Sequence, residues 1–94
     1  MTEAGFLMKK RHANALDDLL EQVAFEGFAS VEKWRLTRWY GQERFTVGIR
    51  RDVRDRWIEL SSELHWISTM ELRFAEVKGQ ILLMQNEVFF ENDE

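Results

Sequence analysis

The chain has 94 residues, 45% of them hydrophobic and 32% charged, with a formal net charge of −4 and no cysteine. That composition excludes wholesale disorder, a disulfide scaffold and any cysteine-ligated zinc or iron–sulfur centre, and it fits a reducing cytoplasm. At this length one domain is expected over residues 1–94, near the size at which a partner often completes the core.

The longest aliphatic run is Ile81-Leu82-Leu83-Met84, too short to span a bilayer, so no membrane partner is expected. At the amino terminus Lys9, Lys10 and Arg11 follow Phe6-Leu7-Met8, the reverse of a secretory signal. Charge is unevenly spread. Residues 1–28 carry three basic and five acidic side chains, residues 29–56 eight and four, and residues 57–94 two and eight. A basic middle and an acidic end attract each other, within one chain or between two.

The first element is a helix signalled from Asn14. Asn14 suits the cap, and Asp17 and Asp18 place negative charge where the helix dipole favours it. Leu16, Leu19, Leu20 and Val23 form its apolar stripe. Gly27 suits the left-handed stop, with Phe28 folding back onto Val23. Residues 1–13 are expected to fray.

Residues 30–50 read as a β-hairpin. Trp34, Leu36, Arg38 and Tyr40 alternate with Lys33, Arg35, Thr37 and Trp39, then Phe45, Val47 and Ile49 with Thr46, Gly48 and Arg50. Gly41-Gln42 provides the connection between the two runs.

A ladder of apolar residues follows: Val53, Trp57, Leu60, Leu64, Ile67, Met70, Phe74, Val77, Ile81, Met84 and Val88, at gaps of three and four. This spacing predicts a long amphipathic, coiled-coil-like helix from an Asp52 cap to about Asn86, with residues 87–94 loose. The expected fold is therefore α+β: an amino-terminal helix, a β-hairpin and a long carboxy-terminal helix. The alternative is α-ββ-α-ββ, with Lys78-Gly79 turning a second hairpin between residues 67–76 and 81–90. The helix is preferred because residues 81–87 do not alternate cleanly. Such a helix would be about 50 Å long, and its seam calls for a second copy. A homodimer with Trp57, Leu60, Leu64, Ile67 and Phe74 in the seam is expected.

Catalysis has little support. His12 and His65 have no nucleophile or carboxylate in a triad pattern. Glu59 and Glu63 share a helix face, as metal or acid–base pairs do, but read best as a solvated stripe. No phosphate-binding glycine loop or calcium loop is present, so no cofactor or metal is expected. The strongest constellation is the basic, aromatic hairpin, with Arg35, Arg38, Trp39 and Arg44 as partner-binding residues. Adjacent strand residues point opposite ways, so Trp34 and Trp39 cannot share one strand face. Trp66 lies off the ladder and marks a second contact surface, beside off-ladder Ile58, Leu72, Leu83, Phe89 and Phe90.

These features fit a small non-enzymatic protein that binds another macromolecule. The first reading is a regulator, adaptor or inhibitor acting by protein–protein contact, of the kind found on small bacterial or phage operons. The alternative is a nucleic-acid-binding module, with bases stacked on the hairpin's rings and arginines on phosphates.

Overall fold

Leu16, Leu19, Leu20 and Val23 recur at helical spacing and are all buried in a helix, α1 (Lys10–Glu26). The computed structural model describes residues 8–85. After α1 come β1 (Phe28–Glu32), α2 (Lys33–Trp39), α3 (Val47–Leu60), a 3₁₀ turn (His65–Thr69), β2 (Leu72–Val77) and β3 (Gln80–Gln85). The strands form one antiparallel sheet in the order β1-β3-β2. The chain is α+β, but it is not the helix, hairpin and long helix expected from the sequence.

α1 begins five residues earlier than a cap at Asn14 implies. Lys9 holds the cap position without a side-chain cap bond, and Asn14 is interior. Gly27 ends the helix as expected, at φ 96° with its N–H donated to the Val23 carbonyl. Phe28 does not fold back; it opens β1 and is exposed.

The expected hairpin over residues 30–50 is replaced by β1 and two helices. Alternation in the Lys33–Trp39 segment is spurious, because Leu36, Thr37 and Tyr40 are buried at spacings that equally suit a helix. The expected carboxy-terminal helix is also broken. Ser61 and Ser62 end α3, their hydroxyls donating to the carbonyls of Ile58 and Glu59. Lys78 at φ 52° and Gly79 at φ 80° then form the tight turn between β2 and β3. The second hairpin of the alternative topology is therefore present, although its first is not.

The apolar ladder is real but serves several elements. Val53 and Trp57 are buried on α3, Ile67 on the 3₁₀ turn and Ile81 on β3. Leu60, Leu64, Met70 and Phe74 pack against this core. Of the residues expected in a dimer seam, Trp57 and Ile67 are buried within the single chain, and Leu60, Leu64 and Phe74 are partly buried against the same core. Trp57 is fixed further by its Nε1–H, which donates to the Met70 carbonyl at 3.0 Å.

The sheet packs its helices on one face, which carries Ala29, Val31, Leu72, Ile81, Leu83 and buried Gln85. Its other face aligns Phe28 with Met84 and Arg73, and Ser30 with Leu82 and Ala75. Val88, Phe89 and Phe90 lie outside the described residues, as do residues 1–7 and 87–94 of the ends expected to fray at 1–13 and 87–94; residues 10–13 of that amino-terminal stretch are helical. No helix among the described residues is long and apolar enough to cross a membrane.

Candidate nucleic-acid interface

Thr46 starts α3 by accepting a hydrogen bond from the Ile49 N–H on its Oγ1, at 3.2 Å. Ile49, Val53 and Trp57, four residues apart, turn inward and are buried. That fixes the opposite face, which presents Val47, Arg50, Arg51, Arg54, Asp55 and Ile58 to solvent.

Two of these arginines rest on aromatic rings. The Arg50 guanidinium lies 5.1 Å from the centroid of Phe45, and that of Arg54 lies 4.9 Å from Phe74. The two rings are tilted against each other at 6.0 Å. Arg54 Nε also donates to the Leu72 carbonyl at 3.4 Å. The loop before α3, the first turns of α3 and strand β2 thus meet in one open cleft of about 290 Å³, lined also by Ala75 and Glu76. Each exposed cation–π contact contributes about 0.5–1 kcal/mol. Its larger effect is to hold a long side chain in one orientation before a ligand arrives, which lowers the entropy lost on binding. Arg51, between them in sequence, is exposed and has no hydrogen bond or ion pair among the described residues.

A buried polar contact positions the helix. The Tyr40 hydroxyl donates to Asp52 Oδ2 at 2.6 Å, and Arg56 Nε donates to the same oxygen at 2.9 Å. Burial, then the bond to Asp52, pushes the Tyr40 phenol above its ordinary pKa. Asp52 is therefore not the helix cap expected from the sequence; it ties α3 to the end of α2.

The far side of α3 is acidic. Asp17 and Glu21 of α1 face Glu59, Glu63 and Arg56 across a cleft of about 160 Å³. Desolvation raises the Asp17 pKa, and Asp18, Glu59 and Glu63 reinforce it against the opposing effect of Arg56. No group of three or more His, Asp or Glu side chains among the described residues is arranged to hold a metal ion.

The residues singled out in the sequence are only partly brought together. Arg35, Arg38 and Trp39 lie on α2, not on a strand. Arg35 pairs with Glu32 at 2.9 Å and covers Trp34 at 5.1 Å. Arg38 is exposed; its charge, after burial and with Arg11 and Lys9, lowers the His12 pKa. Trp39 is half-buried against the core, while Trp34 is exposed. Arg44 is exposed in the loop leading to Phe45. Trp66 belongs to a different surface, edge-on to Phe25 at 5.2 Å.

Sequence reading missed Phe45, Arg50, Arg51, Arg54 and Phe74 as a group. The available signal was Thr46 as a cap followed by Ile49, Val53 and Trp57, which puts three arginines outward.

No family model, curated protein or solved structure matches the chain.

Proposed function

We propose that this chain is a DNA-binding module that lays the first turns of α3 against duplex DNA. The observation that carries this reading is the set of three outward arginines, Arg50, Arg51 and Arg54, two of them held on phenylalanine rings. Arginine forks suit phosphate oxygens and base edges alike, and a straight helix face fits the major groove. The order of elements supports the reading by analogy. A short helix, α2, precedes an exposed helix, α3, as in helix–turn–helix proteins, and a β-hairpin follows. Residues 40–46 make a longer connection here than the usual three- or four-residue turn. A cytoplasmic setting and an absence of bond-making chemistry go with this role.

The test is fluorescence anisotropy of a labelled duplex titrated with the full chain between 50 and 200 mM salt. Binding should weaken with salt, with a log–log slope of about −2 to −3, roughly −0.9 for each phosphate neutralised. No binding at 50 mM, or a salt-independent signal, would reject the reading.

A second reading is favoured by a separate observation. Phe25 and Phe28 are 65% and 55% exposed, and Trp66 is 49% exposed. Phe28 lies on the outer sheet face with Leu82, Met84 and Val77, and Phe25 meets Trp66 edge-on at 5.2 Å. A protein-binding regulator or adaptor would use such a surface, and so would a second copy in a homodimer. Partner capture that survives nuclease and is lost on Trp66→Ala would favour it.

A further inference from the structure

Among the outward residues of α3, three spaced four apart have no evident role in holding the fold. Val47 is the first residue of the helix and is 60% exposed, an aliphatic side chain that the core does not use. Arg51 follows one turn later and is exposed, while its neighbours Arg50 and Arg54 lie on Phe45 and Phe74. Asp55 follows after another turn, also exposed, on a helix face otherwise rich in arginine. It forms no ion pair with Arg51, four residues before it, among the described residues. The i,i+4 acid–base pair seen in this helix is Asp52 with Arg56, on the other side.

We infer that Val47, Arg51 and Asp55 form a base-reading stripe on α3, flanked by Arg50 and Arg54 as backbone contacts. This rests on the duplex-binding reading above and names the sequence chemistry that the duplex must offer. Each residue has a matching group in the major groove. An exposed aliphatic group meets the thymine methyl, a free arginine fork takes the O6 and N7 of guanine, and a carboxylate accepts from the N4 amino group of cytosine. Asp55 is the informative member. A carboxylate aimed at DNA is repelled by phosphates, and accepting a hydrogen bond from cytosine offsets that repulsion. Residues four apart rise about 6 Å along a helix, against 3.4 Å per base pair, so the stripe covers about four base pairs. The preferred ligand is a duplex presenting a guanine, with a thymine contact towards the amino end of α3 and a cytosine contact towards its carboxyl end.

Arg50 and Arg54 take the other role for a geometric reason. Their guanidinium groups lean towards the loop and β2, so they flank the helix instead of extending along its outward line. A charge held at the flank meets the sugar–phosphate strand, which positions the helix without carrying sequence information.

The experiment is selection of full-length protein on a library of duplexes with a randomised core, followed by titration of selected and single-base-changed duplexes. The selected sites should share a guanine. Arg51→Ala and Arg51→Lys should each lose the preference for that guanine, a change of roughly 5- to 150-fold in relative affinity. Arg51→Lys should retain more affinity for unselected duplex than Arg51→Ala, because the charge remains. Asp55→Ala should relax the cytosine position, and Val47→Ala the thymine position. Thermal melts of the variants should match the parent, since all three side chains are exposed. Salt-dependent binding without a shared guanine would overturn the stripe and leave duplex binding standing. So would Arg51→Ala weakening every duplex equally. Failure to bind any duplex at low salt would overturn both.

Discussion

The Tyr40 hydroxyl donates to the carboxylate of Asp52 at 2.6 Å, joining the residue after α2 to the second turn of α3. Tyr40 is only 3% exposed, and Asp52 also accepts from Arg56. The bond sets how α3 sits on the body, and through it where the arginine face points. Hydrogen bonds to charged groups contribute about 1.5–3 kcal/mol, and Tyr40→Phe should lower unfolding stability by that amount in a urea titration.

The same contact gives a pH dependence. Burial and Asp52 raise the folded-state phenol pKa above the unfolded value of about 10. Above that pH the unfolded chain loses its proton while the folded chain keeps it. Stability from this group is thus fully present below pH 10 and declines as the pH climbs past it. In Tyr40→Phe that part of the alkaline decline should vanish. An unchanged profile between pH 9 and 11 would argue against a tightly held phenol.

Buried Gln85 provides a second tie, at the opposite end of the sheet. Its Nε2 donates to the carbonyls of Val23 and Ala24, at 2.7 and 2.9 Å, where α1 runs out of helical partners. Gln85→Leu strands those carbonyls and should cost about 1–3 kcal/mol. Gln85→Glu is the sharper test. An ionised carboxylate cannot donate, and it faces carbonyl oxygens in a buried site. Its pKa should rise, so the variant should be least stable at neutral pH and regain stability as the pH falls and the acid protonates. A variant equally stable at pH 4 and pH 7 would contradict the latch.

The first helix and its glycine stop were readable because local rules and packing agree there. Leu16 to Val23 repeat at helical spacing, and Gly27 takes a conformation that glycine favours. From Lys33 onward the local signal is double. Trp34, Leu36, Arg38 and Tyr40 alternate like a strand, while Leu36, Thr37 and Tyr40 satisfy a helix, and only the position of the core decides. The ladder from Val53 misled for a related reason. Gaps of three and four persist across Ser61-Ser62 and Lys78-Gly79, so periodicity alone cannot see the breaks. The turn at Lys78-Gly79 is a stronger local signal than the imperfect alternation of β3, which has Ile81, Leu83 and Gln85 inward. The basic, aromatic character of the middle segment was legible in composition. Its focus on Phe45, Arg50, Arg54 and Phe74 was not, because Phe74 arrives from β2, whose residues also fit the helical spacing of the ladder.

Ile67 separates a core from a seam. It is 1% exposed inside a single chain. Ile67→Asp should therefore unfold the monomer outright, since an unpaired buried charge costs several kcal/mol. The melting temperature of the milder Ile67→Ala should be reduced by the same amount at 5 and 100 μM protein. A loss that shrinks at high concentration would return Ile67 to an interface between copies.

The pairing of Arg54 with Phe74 tests whether the aromatic rings serve binding or only packing. Phe74→Leu keeps an apolar side chain against the core but removes the ring face under the guanidinium. The charge count on the interface is unchanged, so the salt slope for duplex binding should stay the same while affinity falls through lost pre-organisation. Arg54→Ala removes a charge, and the slope should become shallower by about 0.9. In the double variant Phe74→Leu adds little, because its target is gone. The cycle should give a coupling of about 0.5–1 kcal/mol in binding free energy, the size of an exposed cation–π contact. Additive effects would mean that Phe74 supports the hairpin and leaves Arg54 to act alone.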